Sequence, residues 1–507
     1  MNAGYILTRS AHYFPSRTAF VIDGRAITYQ DLNRRVNKLA NALLSLDLKK
    51  GDRVGLLFHN SLEYLESYLA LYKSGLVWVR LNSRLHPSEI RRMMEDSGAR
   101  VLIHGPDLLE TAEKISPEVP HVIQKGKGTG RDYEEFLQKG SENEPQAEVT
   151  CEDLSDLWYT SGTTGAPKGI MLTHRNILTC TQFLLSDVYD ITAEDKLLTV
   201  GALSHAGSVR ILPFMVRGAA NYLHTHFSPE KALKEIQESR ITDLSTVPTI
   251  LIGLMDSPDR PRHNLSSVKR ITYAGAPMPV ERIKEAVSLF GPVLDQSYGQ
   301  AESIITITHL PRQEHILNGD PERERRLASA GREYPGVQVK VVDDQNNFLP
   351  PGEVGEVVTR SDLVMRGYWN QPDKTEEALR GGWLHTGDIG YLDKDGYLFL
   401  IDRKHDKIIT GGLNVYPREV EEVLAAHPGV AQAVVFGMDD PYWGELITAA
   451  VIPRKGAPVS VEALLDFSKE HLSGYKRPKR IFLVEDFPKN LFGKVLRKDL
   501  KKQFEGK

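Results

Sequence analysis

Residues 159–174, YTSGTTGAPKGIMLTH, compress glycines, hydroxyl side chains and one lysine between two apolar stretches. Gly162, Gly165 and Gly169 let the backbone adopt restricted conformations and bring N–H groups close to an anion. Thr160, Ser161, Thr163 and Thr164 supply hydroxyls, and Lys168 adds positive charge. The run reads as a loop that holds phosphate. A Walker A loop needs glycine directly before its lysine, and here Pro167 stands there. A Walker loop also opens a helix, whereas Ile170, Met171 and Leu172 read as a second strand, with helix only from about Asn176. An ordinary Gly/Thr turn between strands rarely needs so many loop-forming residues and a lysine.

Upstream, TYQDLNRRVNKLANALLSL from Thr28 has a capping hydroxyl, an acid three positions on, and Leu32, Val36, Leu39, Ala40 and Leu43 on one helical face. A buried strand follows from Val54, then Asn60 as the expected cap of helix SLEYLESYLALYKSG, then a strand at Val77 to Leu81. Strand, helix, strand in that order implies parallel pairing and a layered α/β fold. The polar stretch Lys125 to Glu148 reads as a surface excursion before the phosphate loop, and nothing in it points to a function.

Downstream, GYLFLI is a strand that ends at the charged run DRKHDK, and a fresh unit begins beyond it. That unit contains helix PREVEEVLAAHPG, strand VAQAVVFG and helix VEALLDFSKEHLSG. Charge without an apolar anchor between two complete units has the character of a hinge, placed between Asp402 and Asp406. The expected fold is a large multi-layered N-terminal domain with mixed sheets, residues 1–402, and a small α+β C-terminal lid, residues 403–507.

At 507 residues the chain exceeds one ordinary core. A formal charge of −4 gives no global attraction to nucleic acid. Cys151 and Cys180 form no disulfide framework or metal spacing and read as small buried fillers in a reducing compartment. The N-terminus lacks a signal-peptide core, and no window approaches a membrane span, so a cytoplasmic protein is expected, with peripheral membrane contact left open.

Further motifs follow in order: YGQAES from Tyr298, GREYPG from Gly331, MRGYWNQP from Met365, WLHTGDIGYLDKDGYLFLIDRKHDKIITGGLNVYPREVE from Trp383, and PKNLFGKVLRKDL from Pro488. With the phosphate loop, the chain resembles the adenylate-forming superfamily of acyl-CoA and aryl-CoA synthetases, peptide-synthetase adenylation domains and beetle luciferases, over nearly its whole length.

The resemblance implies a ligase that uses ATP, Mg²⁺ and coenzyme A, with a lid that rotates between two half-reactions. Joining a carboxylate to the α-phosphate of ATP brings anions together, so catalysis is mostly positioning and charge neutralisation. By resemblance Thr160 and Glu302 hold Mg²⁺, Tyr298 stacks on adenine against Gly275, Ala276 and Pro277, Asp388 receives the ribose hydroxyls, and Arg403 adds a contact at the hinge. Lys494 bridges carboxylate and α-phosphate when the lid closes, and His205 stands at the mouth of the acid pocket. Gly411 and Gly412 let pantetheine pass, while Trp443, Tyr475, Arg477 and Lys479 resemble positions that hold the CoA nucleotide. Ala301, His405 and Leu413 depart from the family's usual Thr, Asp or Lys, and Glu. His174 reads as a turn residue.

AGSVR after His205, STVPTI from Ser245, YAGAP and SYGQA are small or apolar and offer no convincing cation for a second carboxylate, with Arg210 an outside candidate. They imply an uncharged, apolar acid, aryl or fatty. No general base for the thiol is evident, and an acyl-adenylate is already activated. Transfer to a carrier-protein phosphopantetheine or another acceptor is the alternative, although the basic KRPKR cluster favours free CoA. A catalytically silent nucleotide-binding protein would show damaged motifs, and these are intact. The expected partners are small molecules, no nucleic acid, and either a monomer or a homodimer.

Overall fold

The computed structural model describes the chain except residues 117, 127, 129, 161–167, 317, 405, 411–412, 455, 458, 490–494 and 506–507. The fold is mixed α/β with a large N-terminal and a smaller C-terminal part. It divides into two compact units, Met1–Val339 with Thr359–His385, and Lys340–Val358 with Thr386–Lys507.

Two large mixed sheets build the first unit. In one, Lys168–Thr173 lies antiparallel to Leu154–Thr160, which continues into the parallel run Val77–Arg80, Arg53–Leu57, Val101–His104 and His121–Gln124. Helix Leu62–Ser74 connects Arg53–Leu57 to Val77–Arg80, as the expected strand–helix–strand order requires. Residues of Val77–Arg80 and Val101–His104 are all buried, which is why both read as continuous runs without alternation.

In the other sheet the parallel strands Ala220–Leu223, Lys196–Thr199, Asp243–Thr246, Arg270–Ala274 and Leu294–Tyr298 stand side by side. Helices Pro229–Ser239, Pro248–Met255 and Val280–Phe290 press Leu233, Leu251 and Ile283 against Leu198, Leu244 and Ile271 of this sheet. The carboxyl ends of these strands carry the turns at residues 200–207, 275–277 and 299–305, where open parallel sheets place ligands.

The second unit contains the paired residues Asp388–Leu392 and Leu398–Arg403 of one hairpin, whose first strand starts at Leu384 in the first unit, and a sheet centred on the hairpin Val430–Asp440 with Gly444–Pro453. Helices Pro417–Ala425 and Val461–His471 bury Val420, Leu424 and Leu464 against Val435, Ile447 and Val451. The strand expected over GYLFLI continues to Arg403, so the charged run begins inside it, and the 402/403 position lies within the second unit.

Several local expectations need correction. Ser61, not Asn60, caps helix Leu62–Ser74 by accepting from Tyr64 N. Asn60 instead donates to the carbonyls of Gly201 and His224 and accepts from Leu203 N. The stretch 125–148 is anchored: Arg131–Asp132 extends a sheet edge, Tyr133 and Leu137 are buried, and Glu144 pairs with the Lys73 ammonium at 2.8 Å. Cys180 is buried, but Cys151 is half-exposed. His174 is fully buried and opens helix His174–Phe183, two residues earlier than expected, because Thr173 and Asn176 cap it reciprocally. Gly169 lies within a strand and does not need a left-handed backbone; a Cβ there would come within 3.0 Å of the Tyr159 ring.

Candidate active site

In the first unit the strands that border residues 161–167 pair from Leu154 opposite Thr173 to Thr160 opposite Lys168, with a register shift between Leu154 and Asp156. Ser161, Gly162, Thr163, Thr164 and Gly165 lie outside the described residues, so Thr160 and Lys168 mark where the loop leaves and rejoins the sheet. Beyond Lys168, Gly367–Tyr368 pairs antiparallel with Ile170 and Met171. The Lys168 ammonium thereby stands 5.0 Å from the Tyr368 ring centroid, a cation over an aromatic face. Tyr368 Oη donates to Glu302 Oε1 at 3.0 Å, and Met365 N donates to the Glu302 carbonyl at 2.7 Å. Burial and the neighbouring Glu302 carboxylate push the Tyr368 phenol up, so it stays protonated and donates. Tyr368 lies in the MRGYWNQP motif, but nothing in its residue type marks it as the bridge between Lys168 and Glu302.

Glu302 occupies a short turn, Ala301–Ser303, directly after strand Leu294–Tyr298. The chain then reverses through Ile304 and Ile305 at φ 45° and 58°, a left-handed conformation costly for β-branched residues. Gly299 makes this reversal feasible, because a Cβ there would meet the Ile305 carbonyl carbon at 2.3 Å. Ser297 pairs with Ala274 on the adjacent parallel strand, which sets half-buried Tyr298 beside Gly275, Ala276 and Pro277. Gly275 turns the chain at φ 88°, and all three residues are exposed, leaving a strip of small side chains next to the phenol.

His205 follows strand Lys196–Thr199 and has non-helical φ −121° and ψ −141° within an otherwise helical stretch. Its carbonyl accepts from Arg80 Nη1 at 3.2 Å and from Ser208 Oγ at 3.0 Å, and its Nδ1 lies 2.9 Å from Ser204 Oγ. Arg80 is buried between the rings of Trp78 and Trp158, its Cζ 4.0 and 4.4 Å from their centroids, and it pairs with Asp156 at 2.7 Å. Burial, then the Arg80 and Arg84 charges, push the His205 imidazole down to about 4, so it is neutral near pH 7. An arginine ending an apolar strand gives no sequence signal of this role.

In the second unit Asp388 is buried and pairs at 2.7 Å with Arg403 Nε, directly opposite it in the antiparallel hairpin. Arg403 is half-exposed. Trp443, on the turn of the long hairpin, and Tyr475 are exposed aromatic side chains at 44% and 42%. Arg477 donates to the carbonyls of Leu472 and Lys469, closing the end of helix Val461–His471, while Lys479 is exposed. Lys494, Gly411, Gly412 and His405 lie outside the described residues.

The donors expected for Mg²⁺, a hydroxyl at Thr160 and a carboxylate at Glu302, are hard oxygens that suit such an ion. A cation that takes most of its ligands from phosphate and water needs no enclosing cluster of protein acids. Among the described residues no group of three or more His, Cys, Asp or Glu could hold a metal, and no helix is long and apolar enough to cross a membrane.

Residues 7–369 match the AMP-binding enzyme family, and residues 419–494 match the AMP-binding enzyme C-terminal domain. A feruloyl-CoA synthase from Amycolatopsis sp is 35% identical over 499 residues, covering 98% of either chain. A long-chain-fatty-acid–CoA ligase from Salmonella typhimurium is 32% identical over 541 residues, covering 99% of this chain and 94% of that one. The solved structure of the amide bond synthetase McbA from Marinactinospora thermotolerans is similar with a TM-score of 0.89 and 31% identity, covering 99% of this chain and 100% of that chain.

Proposed function

Because the chain belongs to the AMP-binding enzyme family and is an AMP-forming acid–thiol ligase, we propose that it joins a carboxylic acid to coenzyme A through an acyl-adenylate. A carboxylate oxygen attacks the α-phosphorus of ATP and displaces pyrophosphate; the CoA thiol then attacks the acyl carbon and AMP leaves. The observation that carries this reading is the convergence of Lys168 and Glu302 on Tyr368, which brings a cation and a carboxylate from motifs far apart in sequence to one place.

Thr160, Lys168 and the loop between them grip the β- and γ-phosphates. Mg²⁺, held by Glu302 and Thr160, would neutralise phosphate charge. Tyr298 and the strip Gly275 to Pro277 hold adenine, and Asp388, with Arg403 as its partner, takes the ribose. His205, neutral, orients the acid's carboxylate as a hydrogen-bond donor. Residues 403–507 act as the lid, turning at 402–406, and Lys494 supplies the charge that bridges carboxylate and α-phosphate. Tyr475, Trp443, Arg477 and Lys479 contact the CoA nucleotide near Gly411 and Gly412, with Arg477 held in place by donating to the carbonyls of Leu472 and Lys469. The acid has an aryl or alkyl body, in keeping with relatives named for either kind. An amine or carrier thiol as acceptor is the second reading, favoured by the likeness to an amide bond synthetase.

A panel of aryl and alkyl acids incubated with ATP, Mg²⁺ and CoA tests the proposal by AMP, pyrophosphate and thioester formation. Thioester in step with AMP is expected; AMP and acyl-adenylate without thioester would transfer the reading to another acceptor. Lys494→Ala should slow ATP–pyrophosphate exchange about a hundredfold, the loss of one transition-state contact of roughly 3 kcal/mol, yet still thioesterify supplied acyl-adenylate. Exchange at the native rate would refute its role.

A further inference from the structure

Arg210 ends the short helix Ser208–Arg210, five residues after His205, and is 2% exposed. Among the described residues neither Nη1 nor Nη2 has a hydrogen-bond partner of good geometry, the Tyr189 phenol being the polar side chain that comes within its reach. The titratable groups that act on it are the phenols of Tyr189 and Tyr334 and the Cys180 thiol, all buried. Those neighbours are themselves engaged: Tyr334 Oη lies 2.8 Å from Ser297 Oγ, Cys180 Sγ lies 3.3 Å from Thr306 Oγ1, and the Tyr189 ring packs on Phe214 at 5.2 Å. Ser297 and Thr306 flank the Tyr298–Glu302 segment, so the groups around Arg210 are bonded to residues on either side of that segment.

The other fully enclosed arginines contrast with this one. Arg80 meets Asp156 at 2.7 Å, and Arg270 meets Asp243 at 3.1 Å and Asp295 at 3.3 Å. Buried charge is retained in folded proteins when it is paired, because desolvation of a lone ion costs several kcal/mol. A planar guanidinium with two free terminal amino groups is complementary to a carboxylate, which it binds through parallel hydrogen bonds. Arg210 follows His205 by five residues across the kink at His205, so both belong to one short segment at the carboxyl end of strand Lys196–Thr199.

We propose that Arg210 is a specificity-determining residue that receives a second carboxylate of the substrate, so that the acid adenylated beside His205 is a dicarboxylic acid with an apolar body. This rests on the ligase reading above. It replaces the uncharged acid expected from sequence, because the segments that looked apolar position a cation none of them neutralises.

The test compares matched pairs, suberate with octanoate and terephthalate with 4-methylbenzoate, in AMP release with ATP and CoA. The native enzyme should favour the diacid of at least one pair by tenfold or more in kcat/KM, chiefly through KM. Arg210→Met should lower that ratio at least a hundredfold, and Arg210→Lys should restore part of it. Preference for the monoacid in both pairs, or equal loss on both members of each pair in Arg210→Met, would overturn the proposal. Thermal stabilisation by the same acids without ATP separates this from failure of the ligase reading. If no acid releases AMP yet a diacid raises the melting temperature of the native protein and not of Arg210→Met, the diacid site stands and the ligase reading falls. No AMP release and no diacid-specific stabilisation overturns both.

Discussion

Arg80 donates through Nη1 to the carbonyl of His205 at 3.2 Å, while its Nε meets Asp156 at 2.8 Å on the strand that ends at Thr160. One buried guanidinium thus ties His205 to the strand that ends at Thr160. Removing one partner of a buried pair leaves the other uncompensated, so Arg80→Leu should cost about 3–5 kcal/mol. Arg80→Leu/Asp156→Leu should recover most of it, as urea midpoints would register, while activity stays low because His205 has lost its anchor. Additive losses in the double variant would contradict this account.

Tyr368→Phe removes a single hydroxyl that donates to Glu302. Hydrogen bonds to charged groups contribute about 1.5–3 kcal/mol, so adenylation should slow by about tenfold or more with little change in fold stability. Combined with Glu302→Gln, the effect should be strongly non-additive, because both changes remove the same contact. Initial rates of ATP–pyrophosphate exchange in the four proteins measure this directly.

Acid sensitivity follows from neutral histidines held in the core. Burial pushes His174 and His315 each down to about 4, against about 6.5 when free. The unfolded chain then binds more protons in that interval, so stability rises with pH there and is lost as pH falls from about 6.5 through 4. For fully buried His174, which accepts from Ala3 N, the loss approaches about 3 kcal/mol. Unfolding midpoints between pH 7 and 4 should fall steeply, and His174→Gln should flatten the slope. An unchanged slope would remove His174 from the explanation.

Arg497 is the hub of the second unit, bonding Asp406 at 2.8 Å, Glu421 at 2.7 Å and the Val435 carbonyl at 3.1 Å, with Asp402 also in its field. Burial raises the Asp402 and Glu421 carboxyls, and the guanidinium opposes that rise. In Arg497→Met these acids would rise further. The penalty is small when they are protonated and grows as pH increases, so the variant should lose more stability at pH 8 than at pH 5.5. Limited proteolysis of residues 403–507 at the two pH values would show the difference.

Much of this was legible in the sequence where a local cause acts. Thr28 capping its helix, the strand after Lys168 and the helix at Pro417–Ala425 follow from hydroxyls, apolar runs and proline placed where local rules expect them. What escaped depends on contacts distant along the chain. Asn60 looked like a cap because its neighbours are helical, yet its amide is used by residues more than 140 positions away. Arg80, Arg210 and Tyr368 are ordinary residue types whose roles come from which strand or helix end lies beside them. The stretch 125–148 is polar in composition, but Tyr133 and Leu137 at helical spacing supply its anchor.

The paired left-handed residues Ile304 and Ile305 have a further effect. Each costs about 1–2 kcal/mol relative to a relaxed backbone, and the enclosed Ile304 side chain offsets part of that by burial. Bulky side chains in this conformation leave the turn few alternative shapes. The entropy of ordering the Glu302 backbone is therefore spent during folding, and little remains to be lost when a polyanion arrives. Glycine at either position would relax the turn and, if Glu302 serves ATP as proposed, should loosen nucleotide binding even where it made the folded protein more robust.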